Sequence, residues 1–136
     1  MDLSKHISLK ESTFSATASR LGINNIPTDE HLECMKLVAE KCFEPLREWY
    51  GKPIKINSFY RGLKLNKAVK GSLSSQHCKG EAIDMDAGSI EENKKLFEWC
   101  KSNLDFDQLI NEYNFSWVHI SFTNKKPNRK QILIIK

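Results

Sequence analysis

The chain has 136 residues, 40% of them hydrophobic and 28% charged, with Phe, Trp and Tyr all present; this is the length and composition of one globular domain and excludes a two-lobed enzyme or a largely disordered chain. No run approaches the roughly 18 consecutive apolar residues needed to cross a bilayer, so stable membrane insertion is excluded. A net charge of +4, from 21 basic and 17 acidic residues, favours anionic partners without choosing among them.

Met1-Asp2-Leu3-Ser4-Lys5-His6 lacks the basic cap and apolar run of an export signal, so cytoplasmic synthesis without a signal peptide is expected. One domain over residues 1–136 is expected, with 1–27 as an arm that wraps it. Within the arm, a short helix over 13–21 ends at Gly22, a residue suited to the left-handed position that closes helices. Thr28 or Asp29 caps a helix running to about residue 49, whose apolar stripe includes Leu32, Met35, Val38, Cys42, Phe43 and Leu46. Pro45 lies inside that stripe and predicts a kink or step. His31 and Met35 read as structural.

Residues 53–60 alternate as a strand with Pro53 at its start, delivering Tyr60 and Arg61 into a loop. A short helix over 65–69 and a polar loop over 71–76 follow. Residues 81–86 read as a strand whose period of two puts Ala82, Asp84 and Asp86 on one face and Ile83 and Met85 on the other. Ser89 caps a helix over 90–101 with Leu96, Phe97 and Cys100 turned inward. Strands over 106–110, 117–122 and 131–135 complete the chain, the first two as a hairpin. Helices early and strands late predict an α+β fold, a small antiparallel sheet packed against helices.

Cys34, Cys42, Cys78 and Cys100 include no Cys-x-x-Cys pair, which argues against a closed thiolate zinc site and for reduced thiols. Lys125-Lys126-Pro127-Asn128-Arg129-Lys130 has no aromatic stacking platform beside it and reads as a solvated turn, not a nucleic-acid contact.

His77 and Asp84 stand seven positions apart around Gly80, and His119 shares one face of a later strand with Trp117 and Ser121. Two imidazoles and a carboxylate can supply three ligands to Zn²⁺ and leave a fourth position for water, the pattern of a catalytic zinc site. A histidine among hydrophobic neighbours is more often a packed core residue than a ligand, so spacing alone leaves His119 open.

Ser75-Gln76-His77-Cys78-Lys79-Gly80-Glu81-Ala82-Ile83-Asp84 matches the Ser-x-His-x-x-Gly-x-Ala-x-Asp signature of peptidase family M15, the zinc D-Ala-D-Ala carboxypeptidases and peptidoglycan endopeptidases. Trp117-Val118-His119-Ile120-Ser121-Phe122 resembles the family's second motif, and Ser58-Phe59-Tyr60-Arg61 resembles its Ser-x-Tyr-Arg run. The stretch over 13–27 is similar to the short bacteriophage and prophage members, which work as endolysins. The resemblance implies a hedgehog/D-Ala-D-Ala peptidase-like fold and one Zn²⁺ per chain, held by His77, Asp84 and His119. It implies that Arg61 faces the substrate carbonyl, where a cation stabilises the developing oxyanion, and that Ser75 and Trp117 contact substrate. Gly80 would permit a tight bend between ligands. Asp86 would either orient a ligand or face solvent, and an ion pair with Asp86 or Glu112 is the structural alternative for Arg61.

Many members carry the general base as an acid three residues before the last histidine, and that position here is Ser116. Glu112 is the expected replacement, brought across from His119 by the hairpin; Asp107 is the second candidate. Cys78 adjoins His77, but a histidine committed to metal leaves the thiol without a base. The implied activity is zinc-dependent hydrolysis of bacterial cell-wall peptides, as a carboxypeptidase or an endopeptidase. The chain is expected to act as a monomer, without nucleic acid, reaching the wall by a route such as a membrane lesion or cell breakage. Because the resemblance also reaches the hedgehog signalling domain, a non-catalytic zinc-containing binding module is the alternative.

Overall fold

Short strands and helices alternate through residues 2–136, the part of the chain that the computed structural model describes. Strands β1 (Asp2–Ser4) and β2 (Ile7–Ser8) pair antiparallel and bury Leu3 and Ile7 in the core. Ser4 Oγ and the His6 N–H both donate to Glu44 Oε2, at 2.6 and 2.8 Å, which pins this hairpin to a helix some 40 residues along the chain. The helix expected over 13–21 is two: α1 (Leu9–Thr13) and α2 (Ala16–Leu21). Phe14 is extended between them, and the Ser15 side chain caps α2 by accepting the Ala18 N–H at 3.2 Å. Gly22 closes α2 at φ 67, as its type predicts.

Thr28 caps α3 (Asp29–Val38) through its side chain. The interruption expected at Pro45 takes the form of a π-helical turn (Ala39–Phe43) leading into α4 (Glu44–Tyr50). Proline has no N–H for the carbonyl one turn back, and the Glu44 N–H reaching Ala39 takes up the slack upstream of it. Helix α5 (Leu63–Ala68) leads to the polar loop, and α6 (Ile90–Asn103) is capped by Ser89, whose Oγ accepts the Glu92 N–H at 3.1 Å.

The main sheet contains β3 (Lys55–Ser58), β4 (Ala82–Asp86), β5 (Gln108–Glu112), β6 (Trp117–Ser121) and β7 (Gln131–Ile135) in the order β3-β4-β6-β5-β7. Four strands are antiparallel, as expected, but β7 pairs parallel to β5 and makes the sheet mixed. The basic segment before β7 causes this. Arg129 grips Asp107 with its backbone N–H and two guanidinium N–H groups, and the Gln131 N–H bonds the Asp107 carbonyl, so β5 and β7 start from the same end. The run read as a solvated turn is thus partly a structural clamp.

Ile83, Met85, Leu109, Val118 and Ile120 form the inner face of the sheet and pack on Met35, Val38, Phe43 and Leu46 of the helices and on Leu96 of α6. Burying each such side chain stabilises the fold by about 1.5–3 kcal/mol. That also sets the register, since a one-residue slip would turn every one of them outward. The opposite face is thereby assigned to Asp84, His119, Glu112 and Trp117. All four cysteines are free and buried, and burial pushes the Cys100 thiol up to about 12. Among the described residues no helix is long and apolar enough to cross a membrane.

Candidate metal centre and active-site cleft

Sheet pairing does the first part of the assembly: Asp84 on β4 lies directly opposite His119 on β6. His77 arrives separately, on a single 3₁₀ turn (Gln76–Lys79) that starts at Ser75 and ends at Gly80. Gly80 is required there twice over. Its φ is +74, and a Cβ would lie 2.5 Å from the His31 carbonyl oxygen and 2.7 Å from Met35 Cγ. The turn therefore sits directly on α3, where Met35 is fully buried and His31 meets the Tyr60 hydroxyl, the structural roles expected of both.

The three side chains converge. His77 Nε2 is 3.2 Å from Asp84 Oδ2, and His119 Nδ1 is 2.9 Å from Asp84 Oδ1. One ligand atom from each lies within 4.8 Å of the others, and all three residues are buried or nearly so. His77 Nδ1 lies 2.8 Å from the Phe59 carbonyl, which can only accept, so Nδ1 carries a proton and Nε2 is the ring nitrogen that faces the carboxylate. With Nδ1 held by that carbonyl, Nε2 is the atom His77 can offer to a metal, and a set of two imidazoles and a carboxylate is of the kind that suits Zn²⁺. Burial alone would raise the Asp84 carboxyl, but attraction to His77 and the hydrogen bond with His119 outweigh it and hold the group well below the usual carboxylate range.

Arg61 enters the same cleft from the end of β3. Its Nε–H donates to Asn66 Oδ1 at 3.0 Å and its Nη2 to Ser75 Oγ at 3.3 Å, so both side-chain partners are neutral. The ion pair considered for it is not formed: Asp86 accepts from Gly88 and Asn93, and Glu112 faces Trp117 and His119. Asp86 accordingly supports the turn into α6 and orients no ligand. Ser75 Oγ accepts from Arg61 and from the His77 N–H at 3.2 Å, which leaves its own proton to donate into the cleft.

A family model described as Peptidase M15 matches residues 5–121. The chain belongs to the M15 peptidases. A comparison with curated proteins finds no match. Peptide-bond hydrolysis is therefore the chemistry of the family; the cleft around the three candidate ligands has a volume of about 660 Å³ and is lined by Arg61, Ser75, Glu112, Tyr113 and Trp117.

In this M15 chain Glu112 stands in register with Trp117, while Ile110 lies directly across from His119. Glu112 reaches His119 along the diagonal, with Oε2 3.8 Å from Nδ1. The Trp117 indole N–H donates to the same oxygen at 2.8 Å, fixing the carboxylate beside the candidate ligands. Trp117 thus touches Glu112 as well as lining the cleft, a contact that spacing did not reveal. The hairpin turn is unusual. Tyr113, Asn114 and Phe115 all have positive φ, and the turn is held by Asn111 Oδ1 accepting the Phe115 N–H and by Asn93 donating to the Phe115 and Ser116 carbonyls. Ser116 is exposed in that turn, its hydroxyl bonded to the Tyr113 carbonyl, away from the ligands. Asp107 is fully buried and committed to Arg129, so it does not reach the cleft as a base. Cys78 is buried, which pushes its thiol up and makes it a poor nucleophile.

Proposed function

We propose that this M15 chain is a zinc-dependent hydrolase of bacterial peptidoglycan peptides, of the D-Ala-D-Ala carboxypeptidase or endopeptidase type, binding one Zn²⁺ through His77, Asp84 and His119. The observation that carries the reading is the meeting, in one cleft, of three convergent candidate ligand atoms, a carboxylate 3.8 Å from one of them, and an arginine without an acidic partner among the described residues. When bound, zinc supplies Lewis acidity and lowers the pKa of water. Glu112 takes the proton of the attacking water and returns it to the leaving amine. Arg61 faces the carbonyl oxygen as its negative charge develops, and Ser75 donates its hydroxyl proton to the substrate. Trp117 orients Glu112 and forms part of the substrate wall. No acyl-enzyme is involved. The chain acts as a monomer and without nucleic acid.

The test is elemental analysis of wild-type protein and a His119→Ala variant, each assayed for peptide or D-alanine release from purified peptidoglycan. One zinc per wild-type chain, lost in the variant together with hydrolysis, is the expected result. Zinc bound without any release would move the chain to a non-catalytic binding module, and a metal-free wild type would remove both readings.

A further inference from the structure

The reading above places Arg61 at the developing negative charge, but a long guanidinium on a flexible stem must be held in place to act there. We infer that Asn66, which no motif singled out, is the positioning residue that holds Arg61 and joins it to the neighbouring loop over 71–75 that lines the cleft. This inference rests on the proposed role of Arg61.

Asn66 is 3% exposed on α5, and both polar ends of its side chain are used. Its Oδ1 accepts the Arg61 Nε–H at 3.0 Å and its Nδ2 donates to the Ser72 carbonyl at 2.9 Å. The amide cannot be reversed, because that would set N–H against N–H at Arg61 and oxygen against oxygen at Ser72. Its backbone carbonyl also accepts the Gly71 N–H at 2.9 Å, so two further atoms tie the same residue to the loop. The loop passes so close that a Cβ on Gly71 would lie 2.0 Å from Asn66 Oδ1. Gly71, Ser72 and Ser75 all line the metal cleft. Arg61's other side-chain contact, to Ser75 Oγ, is longer and shares its acceptor with the His77 N–H. The Asn66 bond therefore defines where the guanidinium sits, and the arginine and the loop move as one unit.

A double-mutant cycle on peptide hydrolysis tests this, with wild type, Arg61→Ala, Asn66→Ala and the double variant compared and the zinc content of each measured. Asn66→Ala is expected to lower kcat roughly 10- to 100-fold, with KM changed by less than about threefold and zinc retained. In the Arg61→Ala background the same substitution should add nothing, because its route of action is gone. Effects that multiply, or an intact kcat in Asn66→Ala, would overturn the inference. Should Asn66→Ala fold poorly, Gly71→Ala, which displaces the amide from the loop side, takes its place with the same expectations. Should the wild type hydrolyse nothing, the proposed function fails on its own account. The tether is then read from the Arg61 Nε–H nuclear magnetic resonance, expected to be protected from exchange in wild type and exposed in Asn66→Ala; equal exchange in both refutes it.

Discussion

Substituting alanine for Gly80 separates backbone strain from the contact that seats His77, because Gly22 offers a control with nearly the same backbone. Gly22 has φ +67 and open space around an added Cβ; Gly80 has φ +74 but meets the His31 carbonyl at 2.5 Å and Met35 Cγ at 2.7 Å. The left-handed conformation costs an alanine about 1–2 kcal/mol, and overpacking against a backbone carbonyl and a fully buried methionine adds about 1–3 kcal/mol. Gly22→Ala should therefore lose about 1–2 kcal/mol and Gly80→Ala about 2–5 kcal/mol. For a domain of this size that is a fall of roughly 3–8 °C against 8–18 °C in Tm. Urea unfolding of the metal-free proteins measures the difference, and zinc titration of the same samples measures its consequence. As Gly80 ends the turn carrying His77, relieving the clash must move that imidazole, and zinc affinity should fall roughly 10- to 100-fold, as on loss of a ligand's support. Gly22→Ala should bind zinc normally. Equal destabilisation of the two variants, or full zinc affinity in a destabilised Gly80→Ala, would refute the reasoning.

Glu112→Gln keeps the shape of the side chain but removes the proposed base, so kcat should drop about 10²- to 10⁴-fold with zinc content unchanged; a smaller loss in steady-state assays would assign the base elsewhere. Trp117→Phe retains an aromatic wall but loses the 2.8 Å indole bond to Glu112, and a fall of about 3- to 10-fold in kcat is expected, consistent with one lost hydrogen bond. Removing zinc with a chelator should lower Tm, because the folded state alone presents the converged donor set, and zinc added back should restore it; a Tm indifferent to chelation would count against the site. The hydrogen bonds from Arg129 outweigh burial and hold the Asp107 carboxyl at about 2, against an ordinary 3.8. Because its folded value is depressed, the stability it contributes is present above about pH 4 and disappears as pH falls toward 2. Allowing for the half-exposed guanidinium, this amounts to about 1–2 kcal/mol. Asp107→Asn should show that deficit at pH 7 and converge on wild type in acid unfolding; a deficit independent of pH would show that the ion pair is not its origin.

Much of the fold was legible because its signals are local. The stripe from Leu32 to Leu46, the caps Thr28 and Ser89, the left-handed Gly22 and the alternation around Asp84 each act within a few residues, and each stands where its type predicts. The hairpin of β1 and β2 was not visible, since strands of three and two residues are too short to show a period. The parallel placement of β7 depends on Asp107 meeting Arg129, a pair 22 positions apart that no periodicity records.

The site divides in the same way. His77, Gly80 and Asp84 lie close in the chain, and their spacing together with the family signature marks them as candidate ligands and a bend. Only the tertiary structure decided that Asp84 faces His119 across a strand pair, that Glu112 is in register with Trp117 and reaches His119 diagonally, and that Asn66 holds Arg61. The physical reason is that sequence encodes residue types and local periods, whereas hydrogen-bond partners across strands and loops follow from register, which the buried inner face of the whole sheet sets collectively.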